Sequence, residues 1–354
     1  MDDLVLAFIL DQFKVKLKKV TIRPINEGFI NDTFLVSDLN GPHYVLQKIN
    51  HAVFNNINAL QLNIKQALHF LKSDDYVSFY MIKTLDKGLV YKHNNDFWRL
   101  FSFVPNSEVY SYTSDVKIAF EAGRVLGRFH SLLRHVAIDN FTTTIKNLND
   151  LPSKINEFDV ALEKTSINLK EIAQNEIKFA LATKANFETF YTTKLPYRLC
   201  HNDTKLNNIL FDKTSKKALC LVDLDTLMAG HFHYDFGDAV RTVVSKSKEN
   251  EKVLTKIHFN LNLFEEFVKG LFTHNFNLSE KEIKLLPISC ALMPFMHGLR
   301  ALTDYLNGNI YYKVSYKNQN LDRCVSLFEF TKKALKHQDA IKHIIEKRLI
   351  KNNF

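Results

Sequence analysis

Residues 18–103 show two patterns of hydrophobic and polar positions, one typical of strands and one typical of a helix. The segments KKVTIRPI, DTFLVSD and HYVLQKI are short and rich in β-branched and aromatic residues, which is typical of strands. VSFYMIKT, KGLVYKH and FWRLFSF have the same character, with turn residues between them. Between these two groups the apolar residues recur at spacings of three and four, as in a helix: Val53, Ile57, Leu60, Ile64, Leu68 and Leu71. We expect a strand-rich lobe over residues 1–104.

After Pro105 the pattern becomes mostly helical. An apolar stripe runs along residues 119–133, and further helix is expected across about 154–190. A short strand-like island at roughly 197–224 precedes helices that continue to the end. The prediction is an α+β fold of two lobes, with a hinge near 101–106 and a helical lobe over residues 105–354.

The composition of the 354 residues is that of an ordinary globular protein, with 46% hydrophobic and 24% charged residues. The opening MDDLVLAFILDQF is acidic, unlike a signal peptide, and no apolar run is long enough for a membrane span. We expect a cytoplasmic protein without a membrane partner. The four cysteines form no metal-binding pattern and are expected to be buried, reduced thiols.

The formal charge of +9 raises nucleic acid as a partner. The lysines are dispersed along the chain, however, and the densest basic run, at residues 332–348, is interleaved with apolar residues at helical spacing. This pattern predicts the solvated face of a terminal amphipathic helix. Nucleic-acid binding is therefore not expected.

The stretch LCHNDTKLNNILFDKTSKKALCLVDLDT, residues 199–226, carries the candidate chemistry. Asp203 lies in a polar loop, where a carboxylate can accept the proton of an attacking hydroxyl. Asn208 precedes one apolar strand and Asp223 ends the next. If the two strands pair as an antiparallel hairpin, the amide and the carboxylate lie side by side, as a Mg²⁺ site against a phosphate chain requires.

This stretch resembles the catalytic and metal loops of kinases, in which H-x-D-x-x-x-x-N is followed about fifteen residues on by an Asp. HNDTKLNNILFD and LVDLDT are most similar to aminoglycoside phosphotransferases, choline kinases and their relatives. NEGFINDTFLV, YVLQKIN, YDFGDAVRT and RALTDYLNGNIYYK look like the N-acetylhexosamine 1-kinase branch. The resemblance touches segments from about 25 to 315 and implies a two-lobe protein-kinase-like fold.

The resemblance implies ATP and Mg²⁺ as cofactors. It makes Asp203 the catalytic base, Asn208 and Asp223 the metal ligands, with Asp225 assisting, and His201 a support for the loop. The resemblance assigns nucleotide binding to three places. Lys48 would be the strand lysine, and Gly28, Asn31 and Thr33 would belong to the turn that covers the phosphates. Phe101 to Val104 would form the hinge that binds adenine.

Two features depart from the protein-kinase pattern. Asp235-Phe236-Gly237 spells the protein-kinase metal motif, but Asp223 already occupies the strand end, so we expect Asp235 to be a helix cap or loop anchor. Residues 51–72 contain no Glu or Asp to pair with Lys48. The partner of that lysine stays open.

The net charge of the helical lobe limits the kinds of acceptor molecule that the protein is expected to bind. Residues 106–354 carry 35 Lys and Arg against 28 Asp and Glu, which disfavours a polycationic aminoglycoside. The resemblance makes Arg300 and Tyr311, together with Asp203, candidates to contact a sugar acceptor. It also implies that the nucleophile is the anomeric hydroxyl of an N-acetylhexosamine. Arg300 could equally pair with Asp304 one helical turn away.

Other acceptors and other classes of function stay open. Homoserine, methylthioribose and choline are further acceptors, and a silent nucleotide- or sugar-binding sensor is the main alternative to an enzyme. The sequence is compatible with a monomer or a homodimer.

Overall fold

The computed structural model describes residues 2–25 and 30–352. Its first part is an antiparallel sheet with the order β1-β2-β3-β6-β4, in which β5 also pairs with β6. The strands of this sheet are β1 (Thr21–Ile25), β2 (Asp32–Asp38), β3 (Gly41–Ile49), β4 (Met81–Ile82), β5 (Tyr91–His93) and β6 (Asp96–Ser102).

One face of this sheet is closed by α1 (Asp3–Leu10). Leu6 and Ile9 of the helix pack with alternate strand residues, among them Leu46 of β3 and Trp98 of β6. Because side chains on a strand alternate between faces, residues 47 and 99 point to the opposite face. That second face is directed toward the rest of the molecule, where α2 (Ile57–Phe70) also packs.

The segment VSFYMIKT is mostly not a strand, contrary to expectation. Only Met81–Ile82 pair with the sheet, whereas the Val77 amide donates to the carbonyl of Leu219 in the helical part. Tyr76 and Phe79 are buried in the main core. The β-forming composition of this segment therefore serves core packing between the two parts of the chain.

The second part is helical, with two small antiparallel sheets. Its strands are β7 (Ser107–Glu108), β8 (Arg198–Cys200), β9 (Ile209–Asp212), β10 (Ala218–Leu221) and β11 (Met228–Gly230). The order is β10-β9-β7 in one sheet, and β11 pairs with β8 in the other. These strands carry the candidate loops.

The helices of this part match the periodic segments of the sequence, except that the basic run at residues 332–348 is divided between the end of α11 and α12. In chain order they are α3 (Val116–Leu133), α4 (Leu151–Lys164), α5 (Ile167–Ile172), α6 (Gln174–Thr183), α7 (Glu188–Thr192), α8 (Phe232–Val243), α9 (Leu261–Leu271), α10 (Glu280–Leu306), α11 (Gln319–Lys336) and α12 (Gln338–Asn352). The four cysteines are buried and free, as expected.

Within the described ranges, α10 is the one helix whose length and mean hydropathy would allow it to cross a membrane. The sequence did not predict this, because the helix contains no uninterrupted apolar run of that length. Of its most apolar 18-residue window, 89% is buried inside the protein. A capping box formed by Ser279 and Glu282 begins the helix. Its apolar character thus belongs to the core of the helical part.

Helices α3 and α9 approach each other closely because glycines lie at their contact. A Cβ atom at Gly123 would overlap the carbonyl oxygen of Phe267, and one at Gly270 would overlap that of Phe120. Backbone atoms cannot move aside as a flexible side chain can. The contact therefore requires glycine at these positions.

Gly270→Ala is expected to destabilise the protein by about 2–3 kcal/mol, because overpacking forces two helices apart. Chemical denaturation of purified protein measures this. Lys269→Ala, at the neighbouring, partly exposed position of α9, removes only surface ion pairs and should change the free energy of unfolding by less than about 0.5 kcal/mol. Equal effects of the two substitutions would contradict the close-packing argument.

Candidate functional site

The loop that carries Asp203 is fixed by a buried carboxylate behind it. Asp235, in the first turn of α8, accepts hydrogen bonds from the amides of His201 and Asn202 at 2.8 and 2.6 Å. His130 of α3 lies 3.0 Å from the same carboxylate. Asp235 is fully buried. The prediction of a loop anchor is confirmed, and the Asp-Phe-Gly triplet begins a core helix.

His201 supports the loop from within the core. It is fully buried, and its Nε2 lies 2.9 Å from the carbonyl of Val222, the residue before Asp223. The side-chain amide of Asn202 donates to the Thr226 carbonyl at 3.0 Å. These bonds tie the Asp203 loop to the Asp223 loop. His201 has the supporting place predicted for it.

Asp203 is half-buried, with its carboxylate between an amide and an ammonium group. Asn208 Nδ2 donates to Asp203 Oδ2 at 2.9 Å and also to the Asp203 carbonyl. Lys205 Nζ lies 2.9 Å from the same Oδ2. Because Nδ2 of Asn208 is directed to Asp203, its Oδ1 is free to face another partner.

The predicted hairpin forms and brings Asn208 close to Asp223. β9 and β10 are antiparallel with Leu221 opposite Ile209, and the Val222 amide donates to the Asn208 carbonyl at 2.9 Å. Asp223 follows with φ 62° and ψ 55°. This left-handed conformation is strained for a residue other than glycine and is typical of functional loops.

The negative charges at this point are incompletely balanced. The side chain of Asp223 is exposed to solvent. The protein atoms packed around its carboxylate still displace part of its hydration. Burial raises the pKa of Asp223 to about 6, and the neighbouring carboxylates of Asp225 and Asp203 act in the same direction. Lys205 and Arg99 oppose this shift. A cation at Asp223 would relieve the repulsion.

The donor set fits a divalent metal bound together with phosphate oxygens. Among the described residues, no group of three or more His, Cys, Asp or Glu side chains could hold a metal by itself. The amide oxygen of Asn208 and the carboxylate of Asp223 are hard oxygen donors of the kind Mg²⁺ takes while keeping water or phosphate as its other ligands.

The carboxylate of Asp225 is held by side chains from the first part of the chain, so it is not free to turn toward Asp223. Its Oδ1 lies 2.6 Å from Arg99 Nη1, and its Oδ2 accepts a hydrogen bond from Asn31 at 2.7 Å. Asn31 Oδ1 accepts the Asn50 amide. Asn31, predicted to cover phosphates, therefore links the two parts of the chain through Asp225.

Lys48, predicted to contact the nucleotide phosphates, is paired with an aspartate of the neighbouring strand, and its phosphate role stays a prediction. Lys48 lies on the face of β3 shared with Leu46 and pairs with Asp96 at 2.8 Å. The face toward Asp225 carries Gln47, whose Nε2 donates to Thr33 Oγ1 at 3.2 Å. Lys48 is the lysine of β3, but the alternation of side chains along a strand decides which residue faces the site, and here that residue is Gln47.

The other nucleotide residues have mixed placements. Gly28 lies outside the described residues. Phe101 lies within β6, opposite Val45 of β3 and Met81 of β4, so its backbone belongs to the sheet. Its ring shares the inner face with Arg99, whose guanidinium carbon is 5.0 Å from the ring centroid. Val104 is buried just beyond the sheet.

Arg300 and Tyr311 lie together on the helical part. Arg300 is half-buried, and the tyrosines Tyr311 and Tyr312 help to raise its pKa against the opposing effect of burial. Asp304 accepts the amides of Tyr311 and Tyr312 at 2.8 and 3.0 Å. The alternative of an Arg300–Asp304 ion pair is thus not realised, because Asp304 anchors the loop after α10.

A cavity of about 340 Å³, lined by both polar and apolar side chains, opens beside the Asp203 loop. Lys205 and Asn207 line one side, and Arg241 of α8 lines another. Arg241 is itself paired with Asp238, at 2.7 Å, and with Glu249. A larger cavity of about 420 Å³, between the end of α3 and β8, contains none of Asp203, Asn208 and Asp223. Only the smaller cavity adjoins the candidate chemistry.

Sequence reasoning missed three residues of this site: Gln47, Arg99 and Lys205. Lys205 lies inside the loop motif itself, so its distance of two residues from Asp203 was a usable signal. The other two become visible only once the pairing of β3 with β6 is known, since Gln47 is opposite Arg99 in that ladder.

Comparison with known proteins agrees with this geometry. The model of the phosphotransferase enzyme family matches residues 21–257. A microcompartment-associated aminopropanol kinase superposes with a TM-score of 0.64 at 16% identity, over 96% of this chain and 99% of that one. A spectinomycin phosphotransferase gives 0.64 at 11% identity, over 95% and 98%.

An aminoglycoside phosphotransferase from Alicyclobacillus acidocaldarius superposes with a TM-score of 0.63 at 11% identity, over 96% of each chain. At such identities these similarities establish the fold. The chain therefore has the α+β, two-lobe architecture predicted from its sequence.

The raised pKa of Asp223 predicts a pH-dependent stability of the metal-free protein. An unfolded aspartate ionises near pH 4 and the folded one near pH 6, so the native state loses stability as pH rises between these values. Asp223→Asn removes that loss. In EDTA, the variant should melt above wild type at about pH 8, and the difference should shrink toward about pH 4.5.

Thermal unfolding at the two pH values measures the effect. Asp74→Asn, at an exposed carboxylate, should give no gain that depends on pH. A melting difference for Asp223→Asn that is the same at both pH values would contradict the raised pKa.

Proposed function

The chain belongs to the phosphotransferase enzyme family, and from that premise we propose that it uses Mg-ATP to phosphorylate a hydroxyl group of a small molecule. The observation that carries this proposal is the convergence of Asp203, Asn208 and Asp223 on one loop pair. We further propose that residues 1–104 hold the nucleotide and residues 105–354 hold the acceptor.

The proposed reaction is in-line transfer of the γ-phosphoryl group. Asp203 orients the acceptor hydroxyl and takes its proton, while Asn208 keeps the Asp203 carboxylate in place through the bond at 2.9 Å. Asn208 Oδ1 and Asp223 would hold Mg²⁺, which when bound neutralises phosphate charge. No covalent enzyme intermediate is required.

Lys205 adds a positive charge next to the base. The carboxylates of Asp203, Asp223 and Asp238 raise the pKa of Lys205 against the effect of burial, so it stays protonated at neutral pH. A fixed ammonium group at this position can stabilise charge on the transferred phosphoryl group.

We propose that the acceptor is an N-acetylhexosamine or a related sugar, phosphorylated at its anomeric hydroxyl. Arg300 takes part in no ion pair among the described residues, so its charge is available to neutral oxygen groups. The cavity beside Lys205 has several polar side chains in its lining and falls in the size range of small-molecule sites. The net positive helical part disfavours a polycation.

Asp203→Asn should lower turnover by roughly 10²–10⁴-fold, because the acceptor loses its general base. Mg-ATP consumption is measured with N-acetylglucosamine, N-acetylgalactosamine, galactose, methylthioribose, homoserine, choline and kanamycin. Turnover on a hexosamine that disappears in the variant supports the proposal. Equal turnover in variant and wild type would rule out Asp203 as base, and turnover on choline or homoserine alone would exclude the sugar.

Arg300→Ala should raise the KM of the acceptor about tenfold and leave the KM of ATP unchanged, because a hydrogen bond from a charged group is lost. Arg134→Ala, at an exposed arginine that follows the last residue of α3, is the matched control. A rise in both KM values, or in neither, would argue that Arg300 only stabilises the loop after α10.

A further inference from the structure

The inner face of the sheet carries a positively charged side chain. Lys48 was expected to supply this charge, but Arg99 does so. Arg99 of β6 is 1% exposed and lies opposite Gln47 in the β3–β6 ladder. Lys48, one residue on from Gln47, points to the other face and is neutralised by Asp96. The positive charge between the sheet and the Asp223 loop is therefore that of Arg99.

Arg99 makes a buried ion pair between the two parts of the chain. Its partner Asp225, 2.6 Å away, has a side chain only 4% exposed. A buried ion pair contributes little net stability compared with apolar residues of similar size, because both charges lose their hydration. Fold stability alone gives no strong physical reason for this pair beside the metal loop.

The contacts of the pair extend to both functional segments. Arg99 Nε donates to Gln47 Oε1 at 2.9 Å, and Gln47 donates to Thr33. On the other side, Asp225 accepts from Asn31. Asn31 and Thr33 belong to the segment predicted to cover the phosphates, and Asp225 lies two residues after Asp223. One guanidinium thus connects the phosphate-covering segment to the metal loop.

Resting on the proposed nucleotide-dependent function, we propose that Arg99 is a nucleotide-positioning residue. Through Asp225 it holds the loop that carries Asp223, and through Gln47 it holds the strand that follows the phosphate-covering turn. Its charge also neutralises Asp225, which leaves Asp223 as the carboxylate directed to the metal. The ligand class that this arrangement fits is a nucleoside triphosphate with its divalent cation.

The test compares Arg99→Met, Arg99→Lys and Lys48→Met in the full chain. Binding of a non-hydrolysable ATP analogue with Mg²⁺ is measured by calorimetry, and KM values are measured for ATP and for the acceptor. Arg99→Met should weaken nucleotide binding and raise the KM of ATP about tenfold or more, while the acceptor KM stays unchanged. Arg99→Lys should recover part of the loss.

Lys48→Met is the matched control, since it removes a lysine from the same sheet on the opposite face. Nucleotide affinity should stay within about twofold of wild type, as for other partly exposed ion pairs. A larger loss in Lys48→Met than in Arg99→Met would overturn the inference and restore the lysine role. Unchanged nucleotide affinity in Arg99→Met would also overturn it.

A second variant separates positioning from folding. In Arg99→Met with Asp225→Leu, both buried charges are replaced, so no unpaired charge is left in the core. The double variant should fold yet remain weak in nucleotide binding. If it bound nucleotide like wild type, the pair would be purely structural. Wild-type protein that bound no Mg-nucleotide would overturn the proposed function itself, which is a distinct result.

Discussion

The candidate site depends on one buried carboxylate that is not itself a reacting group. Asp235 accepts two backbone amides of the loop before Asp203 and lies against His130, so α3, α8 and the loop after β8 all meet at its oxygens. A fully buried carboxylate is costly unless charge-assisted hydrogen bonds surround it. Because this carboxylate has such bonds only when the loop is in place, core packing and loop geometry are coupled.

Beyond this anchor, the site is a balance of fixed charges. Three carboxylates, at Asp203, Asp223 and Asp225, face two cations, Lys205 and Arg99. Lys205 pairs with Asp203 and Arg99 with Asp225, which leaves Asp223 without a cation of its own. Burial raises the pKa of Asp223 to about 6, and the neighbouring Asp225 acts in the same direction. The lack of a paired cation gives a physical reason for a divalent metal at that carboxylate.

The Asp-Phe-Gly triplet illustrates how position gives a motif its meaning. Asp235 anchors a loop, Phe236 is fully buried, and a Cβ atom at Gly237 would overlap the Ser289 carbonyl of α10. All three residues have structural explanations in a core helix. The proposed metal ligand is instead Asp223, because a strand end beside Asn208 can present a carboxylate to a phosphate chain and a helix interior cannot.

The sequence by itself determined the two-lobe α+β outline, the hairpin and the grouping of Asp203, Asn208 and Asp223, because hydrophobic periodicity and short spacings act locally. The tertiary structure decided which residues of distant strands face the loop. Whether Lys48 or Gln47 points inward depends on strand register, in which a shift of one residue reverses the face. The pairing of Arg99 with Asp225, 126 positions apart, depends on how the sheet packs on the helical part. No local pattern encodes such a contact, since it exists only when both elements are folded.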